Sequence, residues 1–466
     1  MKKLKQAYLI IALCVVFPSL VLGQKYKMPE YSTFKLENGL TVYLMERHAI
    51  PVISVSTIIA AGAIDDGNQA GLADLTATAL KHGTKSYTKV QLDEEIDFIG
   101  ASINTSVSKE FSRLSSKFAT TDKAKVLNIV KEVLINPVFD VKEFEKEKSR
   151  LLVNLEQQKE SPRSVIGSYF NKLLYGDHVY GNITEGTVAS ISALTVSDLK
   201  KFHTENYIPN YTAICIVGDF SSNEMKKEIT NLFSGWKKGK VASESLASKS
   251  INTPTENRVL LVNKDDAKET TFFIGSKGIS RNNPDFIAID VINTLFGGRF
   301  TSMLNDELRV NSGLTYGAGS RFSTLKNGGS FYISTFTASK TTEAAIDKAL
   351  EVLNKLHENG IDEKSLTSAK NYVKGQFPPK YETTGELANL LTQMFWYDFD
   401  ESFINNFEKN VDNLDLKKAN EIITNYFPKE KLQFVMVGKA SEIKSIAAKY
   451  GKVELVEIKE EIKSTF

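Results

Sequence analysis

Two stretches near the start of the chain, Phe34 to Leu44 and Val52 to Ala60, are short, apolar-rich and rich in β-branched residues, and predict strands. Arg258 to Val262 and Thr270 to Ser276 have the same character far downstream. Between them the apolar positions recur at three- and four-residue spacing, the period of amphipathic helices. The pattern also repeats on a larger scale. A strand closed by Phe118 precedes a helix ending at Val133-Leu134, and a strand closed by Phe336 precedes a helix ending at Val352-Leu353. Asn206-Tyr207-Ile208-Pro209 leads into an apolar strand ending at Val217-Gly218, and Asn425-Tyr426-Phe427-Pro428 leads into one ending at Val437-Gly438. The offset is about 220 residues each time, the size of one domain. The expected fold is therefore α+β, built from two homologous domains, 24–236 and 258–466, that arise by internal duplication. Lys237 to Asn257 is rich in Lys, Ser, Thr and Asn with few large apolar side chains, and reads as the linker.

Residues 1–23 do not fit the repeat. Lys2, Lys3 and Lys5 precede an apolar run from Ala7, and Val21-Leu22-Gly23 offers a small-residue cleavage signal before Gln24. This reads as a secretory signal peptide, because the run is short for a membrane span and is broken by Pro18. No Cys follows the cleavage signal, so no lipid anchor is indicated, and a stable membrane anchor is not expected. Losing three lysines takes the formal charge from +2 to −1, which argues against nucleic acid as a partner. Cys14 leaves with this segment, and Cys215 is left alone in AICIVG as an expected buried thiol. An exported chain that can form no internal disulfide fits a periplasm or cell envelope. With 42% hydrophobic residues the remainder has ample material for two cores.

The candidate chemistry begins at Gly71 to Thr84, GLADLTATALKHGT. This segment resembles the active-site helix of the insulinase and pitrilysin family of zinc peptidases, in which H-x-x-E-H sits between a Gly-Leu-Ala lead-in and a closing Gly-Thr. On that frame the first His position is Asp74, the Glu base position is Ala77 and the second His position is Thr78. The family's third ligand is a Glu on a later charged helix. In the corresponding run, Glu145 to Pro162, the ligand position is Asn154, while the upstream Glu147 remains. A catalytic zinc needs about three protein ligands and an open position for water, so the resemblance implies a peptidase-like chain with no metal site and no cofactor of its own. The five histidines, His48, His82, His178, His203 and His357, include no pair at helical ligand spacing. His82, in the closing turn, reads as a surface residue.

One feature of the family is present in the second half. Phe296 to Phe322 resembles the segment that carries an Arg and a Tyr seven residues apart, here Arg309 and Tyr316 around Gly313-Leu314. Leu304 and Leu308 mark a helical stripe up to Arg309, and Leu314 and Tyr316 are expected on one face of a starting strand. Taken alone, the pair could be a helix-end Arg and a packed Tyr. The resemblance implies instead that both bind the substrate carbonyl and stabilise the tetrahedral intermediate. It further implies a clam-like chamber half, and a heterodimer with a catalytic partner that keeps H-x-x-E-H, holds the zinc and cuts a peptide substrate. Ile58 to Ile64 corresponds to the edge strand to which such substrates add. The alternative is a catalytically silent scaffold or peptide-binding subunit of an envelope assembly. There is no G-x-S-x-G motif and no phosphate loop. The purified chain is expected to retain no stoichiometric zinc after dialysis and to leave unstructured peptides uncut, measured by elemental analysis and a fluorogenic peptide assay.

Overall fold

The computed structural model describes residues 26–240, 251 and 253–462. The segment 1–23, read as a signal peptide, lies outside the described residues, as do 241–250 and 252 of the segment read as a linker. The strands are β1 (Ser32–Lys35), β2 (Thr41–Glu46), β3 (Val52–Ile59), β4 (Ser102–Val107), β5 (Ser112–Ala119) and β6 (Thr212–Gly218), then β7 (Arg258–Asn263), β8 (Glu269–Lys277), β9 (Ala318–Thr324), β10 (Gly329–Ala338), β11 (Gln433–Gly438) and β12 (Lys452–Glu457). They form two six-stranded mixed sheets, ordered β1-β2-β6-β3-β5-β4 and β12-β7-β11-β8-β10-β9. The duplication is visible in the register, where Phe118 pairs with Ile53 and Phe336 with Thr271. Five strands of each sheet correspond in order. The sixth is recruited differently, since β1 runs antiparallel to β2 whereas β12 runs parallel to β7.

The helices that bear on function are α1 (Leu72–Ala79), α2 (Lys123–Ile135), α3 (Val141–Gln158), α4 (Pro162–Tyr175), α5 (Phe286–Asn293), α6 (Thr342–Asn359) and α7 (Thr384–Tyr397). Each sheet is covered on both faces, which is why its central strands are buried along nearly their whole length. On β3, Ile53, Val55 and Ile59 face the first half's own helical layer. Ser54 and Ser56 point the other way and hydrogen-bond to Thr384 (2.8 Å) and Asn389 (2.9 Å) of α7, a helix of the second half. Helix α4 makes the reciprocal crossing. Its Ile166, Phe170 and Leu174 pack with Leu260, Val262, Val435 and Val437 on β7 and β11. Each half thus lends a helix to the other half's sheet.

A buried carboxylate ties the junction. Glu110 accepts from the Tyr180 hydroxyl (2.5 Å), from the Lys326 backbone N–H (2.9 Å) and from Trp396 Nε1 of α7 (3.3 Å). Burial raises its pKa, and these donors oppose that shift. Cys215 is buried and free, as expected of a structural thiol. Among the described residues no helix is long and apolar enough to cross a membrane.

The edge-strand expectation for Ile58 to Ile64 does not hold. β3, which ends at Ile59, lies inside the sheet between β5 and β6, and Ala63–Asp65 form a short 3-10 turn. An uninterrupted apolar run marks a strand covered on both faces and says nothing of an open edge. The edge on that side is β4, whose outward residues are polar. Because Leu391 of α7 is fully buried in a core that includes Met45 and Val217 of the first sheet, Leu391→Ala is expected to cost about 2–5 kcal/mol. The check is chemical denaturation followed by circular dichroism.

Candidate functional site

The frame around the first-half motif has a structural reason at each position. Gly71 caps α1 at φ +87°, and a Cβ there would lie 2.6 Å from Ile191 Cδ1. The buried Asp66 carboxylate accepts from the Gly71 and Ala73 N–H groups at 2.9 and 2.8 Å, satisfying donors at the helix start. Gly83 closes the segment at φ +111°.

The positions within that frame do not fit a zinc ion. Ala77 is buried and offers no donor, Thr78 stands where an imidazole would, and Asn154 is exposed on α3. Among the described residues no cluster of three or more His, Cys, Asp or Glu is placed to hold a metal. Asp74 has its pKa pushed up to about 6, first by burial and then by repulsion from Glu185 and Glu147. Glu147 itself is paired with Arg150 at 2.6 Å. His82 is not at the surface. It is 6% exposed with Nδ1 unpartnered, and burial lowers its pKa.

The second-half site is built differently. Arg309 lies on a π-helical turn, Asp306–Asn311, a geometry that recurs at functional sites. Leu308 beneath it is fully buried, as the apolar stripe predicts. Gly313 follows at φ +61°, a left-handed turn that redirects the chain towards β9. Tyr316 is not on a strand, because β9 begins only at Ala318. Side chains from β10 hold the loop in place of a ladder. Thr335 Oγ1 donates to the Gly317 carbonyl (2.8 Å), and Thr337 Oγ1 donates to that of Leu314 (2.7 Å). Asn305 Oδ1 accepts from the Ala318 N–H (3.2 Å), fastening the Arg309 helix to the start of β9.

With its backbone fixed, the Tyr316 ring projects into solvent, 84% exposed, and its ring centroid lies 6.5 Å from that of Phe336. Arg309 is half-buried with its guanidinium 4.6 Å from the Phe300 ring centroid. Both line one cleft of about 590 Å³. The structure therefore brings the two sequence-predicted residues together. It also places Arg163, from α4 of the first half, and Arg299 on the same cleft. Neither was found from sequence. Arg163 carries one local signal, a cation in the first turn of a helix, where the dipole disfavours it.

Two family models match the chain, one described as insulinase (peptidase family M16) over residues 41–188 and one as peptidase M16 inactive domain over residues 193–373. The chain belongs to the insulinase family, and the zinc-binding and base residues of that family's peptidases are replaced in it. A Helicobacter pylori relative described as "Non-peptidase homolog YmxG" is 24% identical over 395 residues, 84% of this chain and 90% of the relative. A Pseudomonas fluorescens structure described as peptidase M16 inactive domain matches with a TM-score of 0.82 at 24% identity, covering 88% of this chain and 98% of the other. The Escherichia coli periplasmic protease PqqL matches with a TM-score of 0.75 at 16% identity, and the match spans 91% of this chain and 47% of that one.

The Asp74 carboxyl gives a pH test. Its folded pKa, about 6, exceeds the ordinary 3.8, so the folded state holds the proton more tightly and stability falls as pH rises through this interval. The penalty is absent below about pH 3.8 and complete above about 6, corresponding to at most about 3 kcal/mol. Asp74→Asn is therefore expected to be more stable than the parent near pH 7.5 and equal to it near pH 4, by urea denaturation at both.

Proposed function

We propose that this chain is the non-catalytic subunit of a two-subunit zinc peptidase, exported to the periplasm or envelope. In this reading Arg309 and Tyr316 reach the zinc site of a partner that retains H-x-x-E-H. They donate to the substrate's scissile carbonyl and to the oxyanion that develops from it. The observation that carries the proposal is the contrast between the two sites. The metal positions of the first half hold a carboxyl (Asp74), a hydroxyl (Thr78) and an amide (Asn154) in place of the family's two His and one Glu, and the base position holds a methyl (Ala77), while Arg309 and Tyr316 stand on one cleft with their loop pinned by Thr335 and Thr337. Such donors are effective because their orientation is fixed before charge develops. They need not share a polypeptide with the metal, provided both surround the same bond.

Exposed Phe300 (68%) and Val310 (65%) stand with Tyr316 around this region, an apolar surface of the kind that partners or extended ligands cover. Export is supported by the basic and apolar start of the chain and by likeness to a protein described as periplasmic. The zinc belongs to the partner, and the substrate is a peptide.

The test is steady-state cleavage of a fluorogenic peptide by the reconstituted pair. Tyr316→Phe removes one exposed hydroxyl, so the thermal melt is expected to be unchanged. Turnover should fall about a hundredfold to a thousandfold, the usual loss for one preorganised oxyanion donor. Arg309→Ala should also reduce activity, with the larger effect on KM if it holds the peptide in the ground state. Unchanged turnover in both variants would leave the silent scaffold as the reading.

A further inference from the structure

Among the described residues three arginines line the cleft, Arg163, Arg299 and Arg309, and no Asp or Glu does. Each guanidinium lies near an aromatic ring. Arg163 is 3.4 Å from the Phe336 ring centroid, Arg309 is 4.6 Å from that of Phe300, and Arg299 is 5.7 Å from that of Tyr372. A guanidinium resting on a ring gains a cation–π contact and loses rotational freedom, while its in-plane N–H fork stays available.

Among the described residues Arg163 and Arg309 donate no side-chain hydrogen bond, and Arg299 commits two of its N–H groups. Arg299 donates to the Thr301 carbonyl (3.3 Å) and to Ser368 Oγ (3.1 Å). The carboxylate facing Arg163 is Glu269 at 3.8 Å, beyond hydrogen-bond reach and 54% exposed. Among the described residues Arg309 makes no ion pair or hydrogen bond through its side chain. Asp306 and Glu307 share its turn, and neither lines the cleft.

Three like charges repel one another with a single loosely placed carboxylate, Glu269, beside them, and Arg163 adds a cation in the first turn of α4, against the helix dipole. Beyond the ring contacts and one exposed ion pair, folding gains little from this arrangement. A ligand that brings negative charge does, and the planar fork matches a carboxylate in two-point geometry.

We infer that the cleft takes an acidic peptide segment, and that Arg163 and Arg299 are substrate-binding residues that receive its carboxylates beside the Arg309 and Tyr316 pair. The inference rests on the clamp reading for its choice of a peptide and adds the sign of the peptide's charge. The cleft, about 590 Å³, has room for a few residues. The carboxylates can come from Asp or Glu side chains or from the peptide's C-terminus, since both present the same group.

The test is calorimetric titration of the purified chain, without partner, with a short unlabelled Gly/Ala/Ser peptide carrying two Glu and with its Gln twin. Each is made as the free acid and as the C-terminal amide. The Glu peptide is expected to bind on the order of tenfold or more tightly than the Gln twin, with the gap narrowing as salt is raised. Arg163→Gln and Arg299→Gln should each narrow it too, while Arg163→Lys, which keeps the charge and loses the fork, should recover it only in part. A gap that survives amidation assigns the contact to side chains. Tight binding of the Gln free acid that amidation abolishes assigns it to the C-terminus. Equal affinity of all four peptides, or a gap unchanged in both Gln variants with intact melts, overturns the inference. The clamp reading is judged separately by turnover of the Tyr316→Phe pair. A charge preference with unaffected turnover would keep the acidic-peptide cleft and remove the clamp.

Discussion

The exchange of helices between the two halves is the contact on which the rest of the molecule depends. Without α7, Ser54, Ser56, Ile58 and Cys215 would leave the inner face of the first sheet open. Without α4, Val435, Val437, Leu260 and Val262 would leave the second open. Burying a side chain of this size contributes about 1.5–3 kcal/mol, so neither sheet is covered unless both crossings are made. The Glu110 knot adds direction to this apolar driving force. Its donors come from both halves, and a displaced half would leave a desolvated carboxyl without them.

The same crossing composes the cleft. Arg309 and Tyr316 belong to the second half, but Arg163 enters at the N-terminus of α4 and reaches Phe336 only because that helix lies on β8 and β11. The site is therefore a property of the joined halves, even though its best-marked residues, Arg309 and Tyr316, sit seven positions apart in sequence. Loosening the junction would move Arg163 relative to Tyr316 while leaving the Arg309 turn intact.

Features with a local physical cause were the ones legible in the sequence. The strands around Val52 and Thr270, the helix before Arg309 and the two-domain plan all follow from hydrophobic period and repetition, and the structure has them. The resemblance places an edge strand at Ile58 to Ile64, and the residues there cannot correct it, because an apolar run does not say which strands flank it; β3 lies between β5 and β6. The helix that covers Ile58 is α7, more than three hundred residues away. The burial of His82 depends on how the Gly83 turn meets Tyr87 and Val138, and residue type does not disclose that. Alternation with Leu314 predicts a strand at Tyr316, whereas the Thr335 and Thr337 hydroxyls take the bonds a ladder would have made. Arg163 and Arg299 escaped notice because the cleft that unites them is assembled from distant segments.

The two halves have also diverged in what they tolerate. In the first, the elements that survive from the metal-binding frame are those the backbone requires. Gly71 has no room for a Cβ, Asp66 satisfies the start of α1, and Gly83 turns the chain. The base and second His positions have become Ala77 and Thr78, which fit a packed helix, while Asp74 at the first His position keeps a carboxyl whose burial raises its pKa. In the second half the departures run against stability. Three cations share a cleft with no lining carboxylate, an aromatic ring stands 84% exposed, and a helix is wound into a π turn. Local rules are broken in folded proteins chiefly where a site needs them broken. By that criterion the surface around Arg309, where such departures gather most densely, is the one on which the proposed function rests.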